Sequence, residues 1–480
     1  MPSFDELPRI PDAGWLGSFG RTTVERLAMQ RSIAASSAPM VRGRILHLPL
    51  ALPASPDACH EVLVTKAKSF EKSPGLRVLL HDLAGQGLFT SEGELWRRQR
   101  KLMAPIFTPA ALAQFAVAMR DTAERSADAM TPGQAIDLAH ETTRIAMTVV
   151  GSALFGVDTF DEADALGAAL TTALGWVNGS LASPALAPHI LVLDLVRRIS
   201  AKTHGRLRRV LDGLHHRFES PVLVPGSRGR ELLDAVAVVD HRIHGMIDER
   251  RRDAIERHDL LGRLLAARDA DDGVVMTDKQ VRDEVVTLFV AGHETTATSL
   301  AWAMYLLARH PAALAKVVAE ADAFAAAPRD RFDPEQLAFT TRVFRETLRL
   351  YPPLMMFPRR TLESVEVAGT MLPPRRLVFV SAYAQHRRAD VWPDPDAFDP
   401  DRFLPAEEAK RPKGSYLPFS AGPRFCIGMH FAMMEGPIVL ATLLRRYRFE
   451  IDPTREIVED DFATLRPRGG VPAIVRARVD

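Results

Sequence analysis

One of only two cysteines in this 480-residue chain, Cys426, lies in FSAGPRFCIGMHFA, between a glycine-rich loop and an apolar segment. Ile427, Phe431, Met434, Ile438, Ala441 and Leu444 follow at spacings of three and four, the pattern of one buried helix face. The sulfur therefore stands at a helix N-terminus, where the dipole and free backbone N–H groups favour a thiolate. Gly422 and Gly428 leave the backbone bare beside it, so that something flat can come close. A small buried hydrophobe is the alternative for an isolated cysteine.

Three more groupings carry polar residues at helical spacing. AGHETT, 291–296, places Gly292, Glu294, Thr295 and Thr296 inside an apolar span, which taken alone suits a packing groove with threonines bonded back to the helix. In ETLR, Glu346 and Arg349 share a face at i and i+3, which as a surface pair is worth little. In GELWRRQRKL, Trp96 and Arg100 are four apart, which also suits an aromatic packed under an exposed arginine.

Phe419, Gly422, Arg424, Cys426 and Gly428 spell F-x-x-G-x-R-x-C-x-G, and this resembles the haem-binding loop of the cytochrome P-450 family, the haem-thiolate monooxygenases. The resemblance spans roughly residues 35 to 475, with the motifs in the family's order. It implies that Cys426 binds the iron of haem b and pushes electron density toward O–O cleavage. Phe419 would shield the sulfur and Arg424 would meet a propionate. Ala291 and Gly292 would leave room for dioxygen, Thr295 would hold the activated oxygen with its water, and Glu294 would relay protons. Trp96, Arg100 and Arg359 would reach propionates, with Arg360 able to replace Arg359. Glu346, Arg349 and Arg402 would form a buried network, and loss of Glu346 would cost roughly 3–5 kcal/mol.

AGQGLFTS, 84–91, resembles the pocket loop of soluble bacterial fatty-acid hydroxylases of the family and would place Phe89 over the haem. Leu354, Met356 and Ala463 match other pocket positions, although each is equally a plain core residue taken alone. A hydrophobic substrate follows, a fatty acid or terpenoid. The chain holds no nicotinamide fingerprint and no room for a fused reductase, so electrons would come from a ferredoxin or flavodoxin with an NAD(P)H-dependent reductase. Its dock would be Arg97, Arg98, Arg100, Lys101, Lys410, Arg411, Lys413, Arg445 and Arg446, if these are not simply solvated. The rivals are a peroxide-using or peroxide-rearranging haem-thiolate enzyme, which Glu294 and Thr295 disfavour, a non-catalytic haem sensor, and a helical scaffold without cofactor.

These residues need a large frame. With 47% hydrophobic and 25% charged residues the composition is globular. A formal charge of +1, from 61 Lys and Arg against 60 Asp and Glu, excludes a global pull toward nucleic acid. Two cysteines fit a reducing compartment, the cytoplasm, and the prolines and acids near the N-terminus argue against a signal peptide or transmembrane anchor. The pattern predicts a mainly α fold with a small β region: one haem-binding domain over 1–480, helical over about 90–350 and 427–447, β over about 39–66 and 363–381 with a turn at Ala368 to Thr370, and the haem loop at 419–428. The clearest helix runs from Thr277, boxed by Gln280, to His310, stopped by Pro311, about 45 Å long.

Two departures from the family stand out. Gly436 and Pro437 predict a kink or local unwinding, at a cost of about 3 kcal/mol. The long region 184–230, apolar on one side and basic on the other, predicts an extra amphipathic helix, expected to pack as a lid, with a membrane or self-association surface as the other readings.

Overall fold

The structure, a computed structural model, describes residues 3–14, 17–18, 20, 22–181, 185–220, 229–253, 259–266, 276–329, 333–461 and 463–478. Position 184 and positions 221–228 of the long region therefore lie outside the described residues. Helices used below are α1 (Gly93–Met103), α2 (Leu138–Phe155), α3 (Leu186–Ala201), α4 (Gly205–Phe218), α5 (Asp278–Arg309), α6 (Ala338–Leu350) and α7 (Met429–Arg446). The strands are β1 (Met40–Ile45), β2 (Leu48–Pro53), β3 (Phe70–Lys72), β4 (Met356–Thr361) and β5 (Leu377–Ser381).

α5 forms as its ends dictate. The Gln280 N–H donates to the Thr277 hydroxyl at 3.3 Å, and the Thr277 N–H donates to the Gln280 side-chain oxygen at 2.9 Å. That reciprocal cap satisfies two N–H groups the helix itself leaves open, and Pro311 opens a new helix directly beyond Arg309. α2 lies along α5, where Phe155 stacks on Phe289 at 4.8 Å between ring centres. α6 and α7 cover other faces, and a single apolar cluster joins all four. Fully buried Leu300, Trp302, Ile438 and Leu440 lie in it. Each such side chain contributes about 1.5–3 kcal/mol on leaving water. Trp302 keeps a polar tie, donating its indole N–H to the Leu465 carbonyl at 2.8 Å.

α7 corrects one expectation. It stays helical through Gly436 and Pro437, with no local unwinding. A Cβ at Gly436 would lie 2.5 Å from the ring of Phe344 on α6, so the glycine lets two helices approach.

The main sheet has the order β1-β2-β5-β4-β3. β1 and β2 form a hairpin, β2 runs parallel to β5, and β3 sets Lys72 opposite Arg359 of β4. The expected β region at 39–66 is too long. Ser55 caps a helix with Pro56 at its first position, and 56–65 is helical. Val365–Val367 and Thr370–Leu372 pair around Ala368 and Gly369, both with positive φ, where the turn was expected. β3 and β4 had no sequence signal, since FEK and MFPRRT do not alternate. A three-stranded sheet of Ala135–Asp137, Pro472–Ala477 and Tyr447–Glu450 places one short strand within the helix-rich stretch 90–350.

The described part of 184–230 holds two helices, α3 and α4, rather than one extra helix. Among the described residues no single helix is long and apolar enough to cross a membrane.

Candidate active site

The sulfur loop is built on a distant segment. Its backbone turns through a short 3-10 helix at Gly422–Arg424, and the Cys426 N–H donates to the Phe419 carbonyl at 2.9 Å. Gly422 has φ +71, and a Cβ there would lie 1.9 Å from the Leu63 carbonyl oxygen. Only glycine fits, for both reasons. At Gly428, which precedes α7, the nearest atom to an added Cβ is the Cys426 Sγ, at 3.9 Å. Protein surrounds Cys426 on every side at longer range, yet its own surface is open. Burial raises the thiol pKa, opposed by the Gly428 N–H and the Arg100 guanidinium.

α5 is open in the same inward manner. Its preceding turns are buried, but Ala291 is exposed and Val290, Gly292, Glu294 and Thr295 are partly so, in mid-helix. The Thr295 hydroxyl donates to the Ala291 carbonyl at 2.6 Å. Glu294 accepts the Thr464 hydroxyl at 3.0 Å, and burial raises its pKa against the pull of Thr464 and Arg466. Gly292 also serves packing: a Cβ there would lie 2.7 Å from Val150 on α2, so its missing side chain admits a neighbouring helix.

Cations outnumber acids at the edge of this hollow. Lys72, Arg359 and Arg424 gather around the carboxylate of Glu92. Burial lowers Lys72 to about 7, with Glu92 opposing and Arg424 and Arg359 assisting, and burial with Arg424 lowers Arg359 to about 10. The Lys72 ammonium donates to the Leu88 and Ser91 carbonyls, both at 2.8 Å. Arg424, expected at a propionate, donates to Glu92 at 2.9 Å and lies over the Trp96 ring at 5.2 Å, while its Nε is buried without a partner. Arg100 turns from Trp96 and lies over Phe425 at 4.5 Å. Arg360 is engaged elsewhere, by Glu71 at 2.5 Å and Asp194 at 3.1 Å, which leaves Arg359 as the strand's contribution.

Arg359 and Arg424 face one carboxylate, and with Lys72 only partly charged near neutral pH a positive excess still remains, which is costly when buried unless a ligand supplies the counterions. A flat dianion such as haem, with two carboxylates at its edge and an iron for the open Sγ, fits this hollow.

The ETLR residues are not a surface pair. Glu346 and Arg349 are fully buried and bidentate, at 2.7 and 2.8 Å, with the Asp399 N–H on Glu346 at 2.9 Å and the Arg402 Nε 3.5 Å from it. Arg349 also donates to the carbonyls of His386, Pro395 and Ala397. His386 completes the link. Its Nε2 accepts the Leu417 N–H at 2.8 Å, so Nδ1 carries the proton and donates to the Arg349 carbonyl at 3.1 Å.

The pocket candidates stand apart. Phe89 is exposed, in a loop pinned by the Leu88 N–H on Glu284 at 2.9 Å and by Lys72. Leu354 packs against the cluster of Phe357 and Val380, Met356 against Met355, Tyr383 and Leu465, and Ala463 against the main core beside Thr464.

The basic dock is largely compensated. Arg97 pairs with Glu94, Lys410 with Glu407, Arg445 with Asp322 and Arg446 with Asp128, and Arg411 lies over Trp392 at 4.6 Å. Lys101 and Lys413 stay exposed, and on the cysteine side Phe425 is exposed with Arg100 above it.

Sequence reasoning missed Lys72, Glu284, His386, Glu435 and Thr464. Only Glu435 had a local signal, a carboxylate on the apolar stripe of α7. Neither of its oxygens has a partner, although the Thr296 hydroxyl faces it, and burial raises its pKa well above the usual range.

Comparison with known proteins places this geometry in context. A family model described as cytochrome P450 matches residues 8–471. A cyclooctatin synthase of Streptomyces melanosporofaciens is 35% identical over 420 residues, covering 87% of this chain and 84% of that protein. A pentalenene oxygenase of Streptomyces avermitilis is 31% identical over 415 residues, covering 86% and 85%. The fold matches a crystal structure of a cytochrome P450DA haem domain with a TM-score of 0.78 at 22% identity, over 98% of each chain.

Proposed function

The chain belongs to the cytochrome P450 family, and on that premise we propose that it oxygenates a terpenoid-like hydrocarbon above a haem whose iron is held by Cys426. The family fixes the coarser facts: the cofactor is haem and the enzyme is a monooxygenase using O₂, a hydrophobic substrate and a redox partner. The terpenoid class is our reading of the relative named for pentalenene. An open Sγ inside the protein carries the assignment of Cys426.

Each residue then has a task. Haem bound through a thiolate supplies oxygen activation. Phe419 fixes the ligand backbone through its carbonyl, and Gly422, Arg424 and Gly428 shape the loop. Arg359, Arg424 and Lys72 neutralise the cofactor's carboxylates, with Trp96 packed beneath Arg424. Ala291 leaves space at the distal face. Thr295 holds a proton at its hydroxyl, and Glu294, raised in pKa and oriented by Thr464, passes a proton inward. Phe89, exposed in its loop, would meet the substrate, while Leu354, Met356 and Ala463 would back the pocket from their separate clusters. A ferredoxin or flavodoxin docks at the Phe425 and Arg100 edge, reduced by an NAD(P)H-dependent reductase. The cytoplasm is our reading of a sequence with only two cysteines.

The test is spectroscopic and catalytic. Ferrous protein with carbon monoxide gives a red-shifted Soret band that Cys426→His removes. With a ferredoxin system it gives oxygenated products from cyclic terpenes in preference to fatty acids. An unshifted band in the native protein sinks the ligand assignment, and products from fatty acids alone sink the substrate class.

A further inference from the structure

Glu284 is a fully buried carboxyl on α5, about two turns before Ala291, and the proton-handling residues do not use it. Its Oε2 accepts the Leu88 N–H at 2.9 Å, while its Oε1 is buried without a partner among the described residues. The following peptide is held from the other side, where the Lys72 Nζ of β3 donates to the Leu88 carbonyl at 2.8 Å. Both peptide planes that flank Leu88 are therefore fixed, one by α5 and one by β3.

The neighbouring residues are seated as firmly. The Gln86 N–H donates to Asp283 at 2.9 Å, and the Gln86 carbonyl accepts the Gln99 side chain of α1 at 2.7 Å. Gly85 and Gly87 lie bare against α5: a Cβ would stand 2.2 Å from the Asp283 carboxylate at the first and 2.0 Å from the Thr287 hydroxyl at the second. The Thr90 hydroxyl donates to the Gly85 carbonyl at 2.7 Å. Leu88 and Thr90 are buried, and Phe89 between them is exposed. A planar peptide carries its orientation to the next Cα, so the fixed planes set the direction in which the Phe89 ring leaves the chain. Only its own rotamers remain free.

We propose that Glu284 is a specificity-determining positioning residue: it holds the Leu88 peptide so that Phe89 presents one face to the substrate and selects the carbon that is oxygenated. This rests on the oxygenation proposed above. Glu284 touches no substrate itself. Burial raises its pKa to about 8, so near pH 7 the carboxyl is mostly uncharged. Glutamine then copies its charge, its shape and its acceptor, which makes it the conservative variant.

Hydrogen exchange and products are read on the full-length holoprotein, with caryophyllene and dodecanoic acid as probe substrates. Glu284→Met removes the acceptor and Glu284→Asp retracts it, so the Leu88 N–H exchanges about tenfold faster or more while the carbon monoxide spectrum stays unchanged. The ratio of oxygenated isomers from the probe that reacts changes by about tenfold in both. Glu284→Gln keeps the native exchange and the native ratio. In a Phe89→Ala background Glu284→Met changes the ratio no further, because the carboxyl acts through that ring. Unchanged exchange at Leu88, a native isomer ratio in Glu284→Met and Glu284→Asp, a Glu284→Gln that behaves like them, or an undiminished effect without the Phe89 ring overturns the proposal. A native protein that oxygenates neither probe overturns the reading of the site itself, and the proposal with it.

Discussion

His386 accepts the backbone N–H of Leu417 at 2.8 Å, so one imidazole joins the Arg349 carbonyl to the start of the sulfur loop. His386→Ala would leave both backbone groups buried without partners, at about 3 kcal/mol. The expected result is a lower denaturant midpoint together with reduced haem content. A variant that loses stability but keeps full haem occupancy would separate the fold from the loop. Burial, Arg349 and Arg387 hold the His386 pKa well below its ordinary value. The unfolded chain therefore takes up a proton near pH 6.5 that the native state refuses, and stability falls by about 1.4 kcal/mol per pH unit below that.

Glu284 runs the other way. Burial raises it to about 8, with the Leu88 N–H opposing and Asp283 assisting. The native carboxyl stays protonated where the unfolded one ionises, so its contribution is complete below about pH 4.5 and is lost as pH rises toward 8. Glu284→Gln should gain stability relative to the native chain by about 2–4 kcal/mol between pH 5 and pH 8, read from guanidinium midpoints. A constant difference across that range would show an ordinary carboxylate.

Thr295→Ala keeps Glu294 and the helix but removes a hydroxyl at the open turn of α5. Haem binding and substrate spin shift should persist, while product formed per NADPH falls roughly tenfold or more and hydrogen peroxide rises. Thr464→Val, which frees Glu294 without touching substrate, should slow turnover in the same sense with a shifted pH profile. Full coupling in Thr295→Ala would remove that hydroxyl from the proposed proton path.

Arg359→Met removes one of the surplus cations while Arg360 keeps its partners. Haem transfer to an acceptor apoprotein should quicken about tenfold, with Arg359→Lys recovering part of the loss. Unchanged transfer would mean that Lys72 and Arg424 suffice.

Gly436→Ala sets a methyl 2.5 Å from the Phe344 ring, an overpacking of about 1–3 kcal/mol. Phe344→Leu alone leaves a cavity, but the double variant should recover part of the first loss in thermal melts. Additive losses would place the strain elsewhere.

How much was legible depends on distance along the chain. Thr277, Gln280 and Pro311 mark α5 because caps act within one turn, and Cys426 with Phe419 and Gly422 is a loop whose partners lie a few residues apart. Lys72 and Arg359 meet only because β3 pairs with β4, and His386 matters only because α6 and the sulfur loop pass either side of it. No window of sequence contains those meetings. Gly292 shows a second role that no window reveals, since Val150 on another helix fills the space a side chain there would take. The basic residues near Arg445 show the same limit, since the acids that match them come from other helices.

Gly422 resting on the Leu63 carbonyl has an assembly consequence. The thiolate cradle is moulded by backbone from near the other end of the polypeptide, so a growing chain acquires a cofactor seat only after that early turn has settled against it. Grafting the ten motif residues onto a foreign scaffold would transplant the letters and leave the mould behind.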